Sequence, residues 1–549
     1  MPETTIPAAD RAHVKEFHKL AWSHLEESFE RFPESASKLG LENFNARLGE
    51  NDAPTHKLQI RLLEQTLARI ESQPEAAFTG SDGIDRRGFL AMLRTELLDA
   101  RDLQRWRNNP QVHCDVAVDS IFDLVVRHAG NLERVMPAIE SRLGLIPDYL
   151  AAGADCVSKP VPLWAKLAAQ SCEGAISFLH QIEGELLPHA AKPERLRSLI
   201  DGAIRAFEDY AEAVLRKNPG DARGYSIGRA NFEFLMRERL GFDCSLPEAK
   251  ANGHRLVAQM DHLLRLEAAK HGKKNALEIL EEASAHWTPE RPLIEEYQRT
   301  TNAIKASLGK LGIATLPKGE TLKVMPAPAF LQHHFPTAAY NAPPPFSKKQ
   351  QGIFWVNDLS LLKSDPAEKL AEIRQHFGLE LTSAHEAYPG HHLQFAIQNK
   401  HPSRLRRLFA HAIFYEGWTM WCEVMSVQKG IASSPYAKLQ QLHDALWRAH
   451  RIVIDCGLHD GSLSPDGAAR VLMQGVQFTK ARAMGDVNWY TSSPTVPMSY
   501  LLGRIEVEKL HRRFVLGEGW SLQQFNDWML SHGAVPWRWI LKAHDESLG

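Results

Sequence analysis

Apolar residues at helical spacing recur through the first three hundred positions of the chain, and no other feature constrains its fold as strongly. Between Leu58 and Ser72, the residues Leu58, Leu62, Leu63, Leu67 and Ile70 recur at the spacing of one helical face. Similar stretches run from Pro162 to Leu187, from Pro193 to Lys217 and from Leu246 to Lys270. Loops between them carry Pro and Gly, as in Lys217-Asn-Pro-Gly-Asp221. A chain patterned this way packs helix on helix. With 549 residues it has ample length to bury a core without disulfide or metal staples.

The texture changes after about Leu316. Thr321-Leu-Lys-Val-Met-Pro326 alternates as a strand does, and the Pro-rich turn Asn341-Ala-Pro-Pro-Pro345 follows the pair His333-His334. Gly352-Ile-Phe-Trp-Val-Asn357 is a short β-branched and aromatic run. A small antiparallel sheet packed on helices is expected here. Helical pattern returns at Asp365-Pro-Ala-Glu368, where Asp365 can N-cap, Pro366 takes the first helical position and Glu368 completes a capping box. A long helix is expected from Ser403 to Gln428, stopped by Gly430. The fold class is therefore mainly α, a large helical body with a small antiparallel sheet. Residues 1–315 form a helical scaffold and residues 316–549 carry the chemistry, within one continuous fold.

Composition removes several functional classes. Lys and Arg number 64 against 66 Asp and Glu, a formal charge of −2. No excess of positive charge is available to hold nucleic acid or an anionic membrane, so neither is an expected partner. The six cysteines are scattered without CxxC spacing, which is no disulfide framework. The stretch Met1-Pro-Glu-Thr-Thr-Ile-Pro-Ala-Ala-Asp10 lacks a basic segment followed by an apolar run, and no apolar stretch is long enough to span a bilayer. The expected location is the cytoplasm. Histidine, at 26 residues, stands out, several of them in adjacent pairs; imidazole is the commonest metal ligand.

One segment concentrates chemistry: Ser383-Ala-His385-Glu386-Ala-Tyr388-Pro389-Gly390-His391-His392-Leu393. It begins like the zinc-peptidase HExxH motif, in which two histidines one turn apart share a helical face. Here Pro389 replaces the second histidine, and the next imidazoles come six and seven residues after His385. On a straight helix six residues rise ~9 Å, too far for two ligands at ~2.0–2.1 Å from one ion. Pro removes a helical N–H, and Gly tolerates unusual dihedrals. A break at Pro389-Gly390 can therefore return His391 to His385, and without it the zinc reading fails. Glu416, in Phe414-Tyr-Glu-Gly-Trp418, offers the third ligand from a neighbouring helix, with Glu423 seven residues later on the same face. A buried Glu beside Gly and Trp is costly unless paired or metal-bound. The plainer alternative is a packed His385 and a salt-bridged Glu416.

These residues belong to a longer ordered series. It continues with Tyr415-Glu-Gly-Trp418 and Glu423, Arg448 to Arg451 leading into Ile454-Asp-Cys-Gly-Leu-His459, and Pro497-Met-Ser-Tyr500 with Gly503-Arg504. Phe525-Asn-Asp527 and Gly533-Ala-Val-Pro536 close it. The series resembles the bacterial domain-of-unknown-function 885 family, whose members look like gluzincin-type zinc metallopeptidases. Weaker similarity reaches back through Arg142-Leu to Pro147. The resemblance implies one zinc ion per chain held by His385, His391 and Glu416, with Glu386 as general base. His391 is preferred over His392, where the family pattern is looser. Tyr500 and His459 match polar positions expected near the metal. Cys456 within Asp455-Cys456-Gly457, Trp489 before Tyr490, and the loop Phe346-Ser-Lys-Lys-Gln-Gln351 depart from the family pattern, and these departures bear on substrate choice.

The implied chemistry is hydrolysis of amide bonds in small or unfolded peptides, in a cleft resembling that of a zinc peptidase. Glu386 shuttles the proton and Tyr500, with His459, supports the oxyanion. Asp455 can orient a ligand histidine. Arg504 and Tyr340 are candidate substrate contacts, and Phe354 to Asn357 offers a strand edge for an extended peptide. The alternatives are a zinc enzyme acting on another acyl compound, and a helical binding protein without catalysis. Gly224-Tyr-Ser226-Ile-Gly228 matches the serine-hydrolase GxSxG pattern, but no strand precedes it, so Ser226 reads as a cap or turn residue.

Overall fold

The helical periodicity of the first three hundred residues is realised as helices. The computed structural model describes residues 8–272, 275–327, 337–358 and 366–548, so the pair His333-His334 and the expected cap at Asp365 lie outside the described residues. The chain divides into two compact units, Met1–Gly224 with Pro344–Ser347, and Tyr225–Pro343 with Lys348–Gly549. The change of texture near Leu316 thus falls inside the second unit, and the division itself comes at Gly224 and Tyr225.

In the first unit α1 (Ala53–Glu71) starts where the Asp52 carboxylate accepts the Thr55 N–H, with Pro54 in the first turn. Leu62, Leu63 and Ile70 are buried, but Leu58 is 45% exposed and falls outside the stripe the spacing suggested. α2 (Pro162–Leu186) and α3 (Pro193–Leu215) both begin on proline and pack against each other.

The second unit carries the candidate chemistry. α4 (Leu246–Ala268) opens on a capping box of Ser245 and Glu248. α5 (Leu293–Ser307) precedes the sheet. The strands are β1 (Thr321–Pro326), β2 (Ala338–Asn341) and β3 (Gln351–Val356), in the order β1-β3-β2. β2 pairs antiparallel with β3, from Ala338 opposite Val356 to Asn341 opposite Ile353. β1 pairs parallel with β3, from Thr321 opposite Gln351 to Pro326 opposite Val356. The sheet is therefore mixed, not antiparallel. β2 and β3 are joined directly through the proline turn and pair as neighbours do, so β1 takes the other side of β3, where its direction makes it parallel. β3 is the central strand, with Phe354 and Val356 fully buried, so the edge expected at Phe354 to Asn357 is already paired.

The further helices of this unit include α6 (Leu379–Glu386), α7 (His391–Gln398), α8 (Ala412–Gln428), α9 (Ala437–His459), α10 (Lys480–Ser492) and α11 (Val496–His511). α8 starts nine residues later than the periodicity from Ser403 suggested. The intervening backbone is held by side chains instead: Gln398 Nε2 donates to the carbonyls of Arg406 and Phe409 at 3.0 and 2.6 Å. The stop at Gly430 is as expected, with φ +70°. α4 packs along α9, and α8 crosses α11 at a glycine pair. A Cβ on Gly417 would lie 2.6 Å from Gly503 Cα, so only glycine permits this approach. No described helix is long and apolar enough to cross a membrane.

Candidate metal centre

The break expected at Pro389-Gly390 is present. α6 ends at Glu386 and α7 begins at His391, and the link 387–390 contains a cis Tyr388–Pro389 peptide. Gly390 is indispensable to the turn: a Cβ there would sit 1.8 Å from the His385 carbonyl oxygen. Trp418, on α8, donates its indole N–H to the Pro389 carbonyl at 2.9 Å, tying the link to the helix that carries Glu416. The imidazoles of His385 and His391 end with ring centroids 5.0 Å apart.

His385, His391 and Glu416 thereby form one constellation, their ligand atoms all within 4.8 Å of one another. Glu416 Oε2 lies 3.6 Å from His385 Nε2 and 3.7 Å from His391 Nε2. These separations are too long for hydrogen bonds. They match the ~3.4 Å between ligand atoms bound tetrahedrally at ~2.1 Å around one zinc. Glu416 Oε2 is buried and has no hydrogen-bond partner among the described residues. An orphaned buried carboxylate oxygen facing two imidazole nitrogens fits a divalent cation. The three side chains are buried but not sealed, at 8, 9 and 7% exposure.

Glu423 completes the set from one helical face of α8. Its Oε1 accepts the Nδ1–H of His385 at 2.8 Å, which leaves Nε2 turned toward Glu416 and His391. This is the carboxylate–histidine arrangement that orients metal ligands. Arg448 Nη2 stands 4.0 Å from the same Glu423 oxygen. His391 Nδ1, by contrast, has no hydrogen-bond partner among the described residues.

Electrostatics follow from this crowding. Burial opposes the charged form of His385, but the carboxylates of Glu416 and Glu423 outweigh it and push the imidazole up to about 10. Burial, aided by the neighbouring His385, holds His391 down at about 4, so it is neutral near pH 7. Glu416 and Glu423 are lowered despite burial, Glu416 by the charges of His385 and His391, and Glu423 by the hydrogen bond and charge of His385 together with the charge of Arg448. Burial together with the nearby charges of Glu416 and Glu423 raises Glu386 to about 7, the range suited to a base that both takes and returns a proton.

Of the other residues singled out from sequence, Tyr500 is brought to the centre. Burial and the nearby Glu416 charge hold its hydroxyl well above the ordinary phenol range, and the Arg451 guanidinium lies 4.6 Å from its ring centroid. Tyr340 stands beside His391 with nearly parallel rings, 14° apart and 6.3 Å between centroids, and its hydroxyl is committed to His392 Nδ1 at 3.0 Å. His392 is turned away from the triad, its Nε2 bonded to Glu320 at 2.6 Å, so the geometry selects His391 of the adjacent pair.

The remaining candidates sit elsewhere. His459 is fully buried at the end of α9, where it meets the Tyr490 carbonyl at 3.2 Å, Asp455 at 3.6 Å and the Phe232 ring. Asp455 orients no ligand histidine; it accepts the backbone N–H groups of Thr495 and Met498, each at 3.3 Å, at the start of α11. Glu423, and not Asp455, is the carboxylate that accepts the His385 Nδ1–H. Arg504 pairs with Glu508 one turn away at 3.1 Å and approaches Met260, the ordinary helix salt bridge. Ser226 precedes a helix, not a nucleophile elbow, and donates to the His459 carbonyl at 2.8 Å. Glu320 carried no local signal in the sequence and was missed.

Two solved structures share this fold. A chain from Shewanella oneidensis, described as "a putative lipoprotein of unknown function", has a TM-score of 0.76 and 18% identity, over 97% of this chain and 100% of that one. Another from Colwellia psychrerythraea, described as a "putative lipoprotein", has a TM-score of 0.73 and 17% identity, over 98% and 99%. At these identities the likeness speaks for the fold alone. No curated protein matches the chain. The pattern of one family, described as "Bacterial protein of unknown function (DUF885)", matches residues 33–543, and the chain belongs to that family.

Proposed function

We propose that this protein is a zinc-dependent hydrolase that cleaves amide bonds of small or unfolded peptides. One observation carries the reading: two imidazole nitrogens and one unpartnered carboxylate oxygen converge at 3.6–3.7 Å, with Glu386 next in chain to the first ligand. A zinc ion held there would supply Lewis acidity toward a bound water and the scissile carbonyl. Glu386, poised at about 7, takes the proton of the attacking water and returns it to the leaving amine. Tyr500, whose hydroxyl burial and the Glu416 charge keep protonated, would donate to the developing oxyanion. Glu423 keeps the Nδ1–H of His385 in place throughout.

The reading includes a cytoplasmic location, supported by six free cysteines, five of them buried. Two of the solved structures that share the fold are each described as a "putative lipoprotein", so cell fractionation decides the compartment for this chain. The activity is tested by digesting a mixed peptide library with zinc-loaded protein beside Glu386→Gln. New peptide termini with the wild type and none with the variant are expected. A zinc-loaded wild type that leaves the library intact sinks the peptidase reading.

A further inference from the structure

The link that brings His391 back to His385 is clasped from a second side. Glu320 lies just before β1 with its side chain 3% exposed. Its Oε2 accepts the Tyr388 hydroxyl at 2.6 Å and the His392 Nε2–H at 2.6 Å. Its Oε1 meets Lys305 Nζ, from α5, at 2.6 Å. Tyr388 and His392 flank Pro389-Gly390, so one carboxylate oxygen ties the chain on both sides of the turn. His392 is held in turn by the Tyr340 hydroxyl on Nδ1. Gly352 on β3 leaves the room this requires: a Cβ there would lie 2.5 Å from His392 Nδ1 and 2.8 Å from the Tyr340 hydroxyl.

We infer that Glu320 is a positioning residue of the metal centre: by bridging Tyr388 and His392 it sets the separation of His385 and His391. The inference rests on the proposed zinc site and deepens it. Trp418 ties the same turn to α8, so the ligands are fixed relative to one another by the sheet side and the helix side together. Such preorganisation is what outer residues contribute to metal sites, where their loss typically lowers affinity ~10- to 100-fold.

Two variants test it, Glu320→Gln and Tyr388→Phe, with Ser464→Ala as a control that removes an N-cap elsewhere in the same unit. Zinc affinity is measured by chelator competition, and amide hydrogen exchange is followed over residues 387–392 in metal-free protein. Glu320→Gln is expected to weaken zinc binding about 10- to 100-fold and Tyr388→Phe less. Both should speed exchange of the Ala387 and Tyr388 amides, which are bonded to the Ser383 carbonyl. The control should lower Tm while leaving zinc affinity and these amides unchanged. Wild-type zinc affinity and wild-type exchange in the variants overturn the inference. If Glu320→Gln does not fold, Tyr388→Phe carries the test alone. If the wild type takes up no zinc, the proposed function fails, and exchange in the metal-free protein still decides whether Glu320 holds the turn.

Discussion

Replacing Gly390 with alanine puts the smallest possible side chain where the turn has no room. The new Cβ would stand 1.8 Å from the His385 carbonyl oxygen, 2.4 Å from its carbon and 2.5 Å from the Ala384 oxygen. All three are backbone atoms, so no rotamer change relieves the overlap. Ordinary contact begins near 3.4 Å, so the link must open by about 1.6 Å, the difference of the two distances. Metal–ligand bonds tolerate only ~0.2 Å, so the opening would take His391 out of reach of an ion held by His385 and Glu416. We expect Gly390→Ala to lower zinc affinity at least ~100-fold, about 2.7 kcal/mol, and stability by about 1–3 kcal/mol from overpacking. Gly202, within α3, has nothing within 4 Å of its added Cβ; Gly202→Ala should stabilise by roughly 0.5–1 kcal/mol and leave zinc untouched. Chelator competition and thermal melts read both variants. A Gly390→Ala protein that binds zinc as tightly as the wild type refutes the claim that this turn sets the ligand geometry.

Glu386→Gln should lower turnover ~10²- to 10⁴-fold with zinc content unchanged; retained activity would remove it as the base. Tyr500→Phe should cost ~10²–10³ in kcat with zinc still bound, read by steady-state kinetics on whichever peptide the library yields. Acid stability follows from Glu320. Burial alone would raise its carboxylate, but hydrogen bonds from His392, Lys305 and Tyr388 draw it down to about 2. A folded value below the unfolded 4.5 means the group stabilises the fold above pH 4.5, and that contribution fades as pH falls toward 2. It amounts to less than the ~3 kcal/mol of the full shift, because solvent screens part of it. Urea midpoints of metal-free protein between pH 5 and about 2.5 should therefore fall more steeply for the wild type than for Glu320→Gln; equal slopes would contradict this assignment.

Much of the helical body was legible because an apolar face recurs every 3.6 residues whatever lies opposite. The convergence of His385, His391 and Glu416 was legible because His385-Glu386, Pro389-Gly390 and Glu416 each carry a local reason for coming together. Long-range pairing was not. The direction of β1 depends on which side of β3 remained open, which strand composition does not encode. The start of α8 was misjudged because the stretch after Ser403 is helical in pattern but is held by Gln398 and a buried Arg406. Asp455 and Glu423 are both acids far from His385 in the sequence, and only the packing of α8 on α6 decides which one reaches it. His459 and Arg504 were attractive as polar residues in ordered motifs, yet each is engaged by partners of its own. Glu320 lies 65 residues before His385 in an unremarkable turn, and only the fold brings it to the link.

The central claim is that His391, and not its neighbour, closes a zinc site with His385 and Glu416. Elemental mass spectrometry of untagged protein, purified without added metal and again after zinc reconstitution, tests it beside His391→Ala and His392→Ala. The account predicts about one zinc per chain in the wild type, none in His391→Ala, and zinc retained at weakened affinity in His392→Ala. A wild type that takes up no zinc even after reconstitution, or a His391→Ala protein that keeps its full complement, would contradict it.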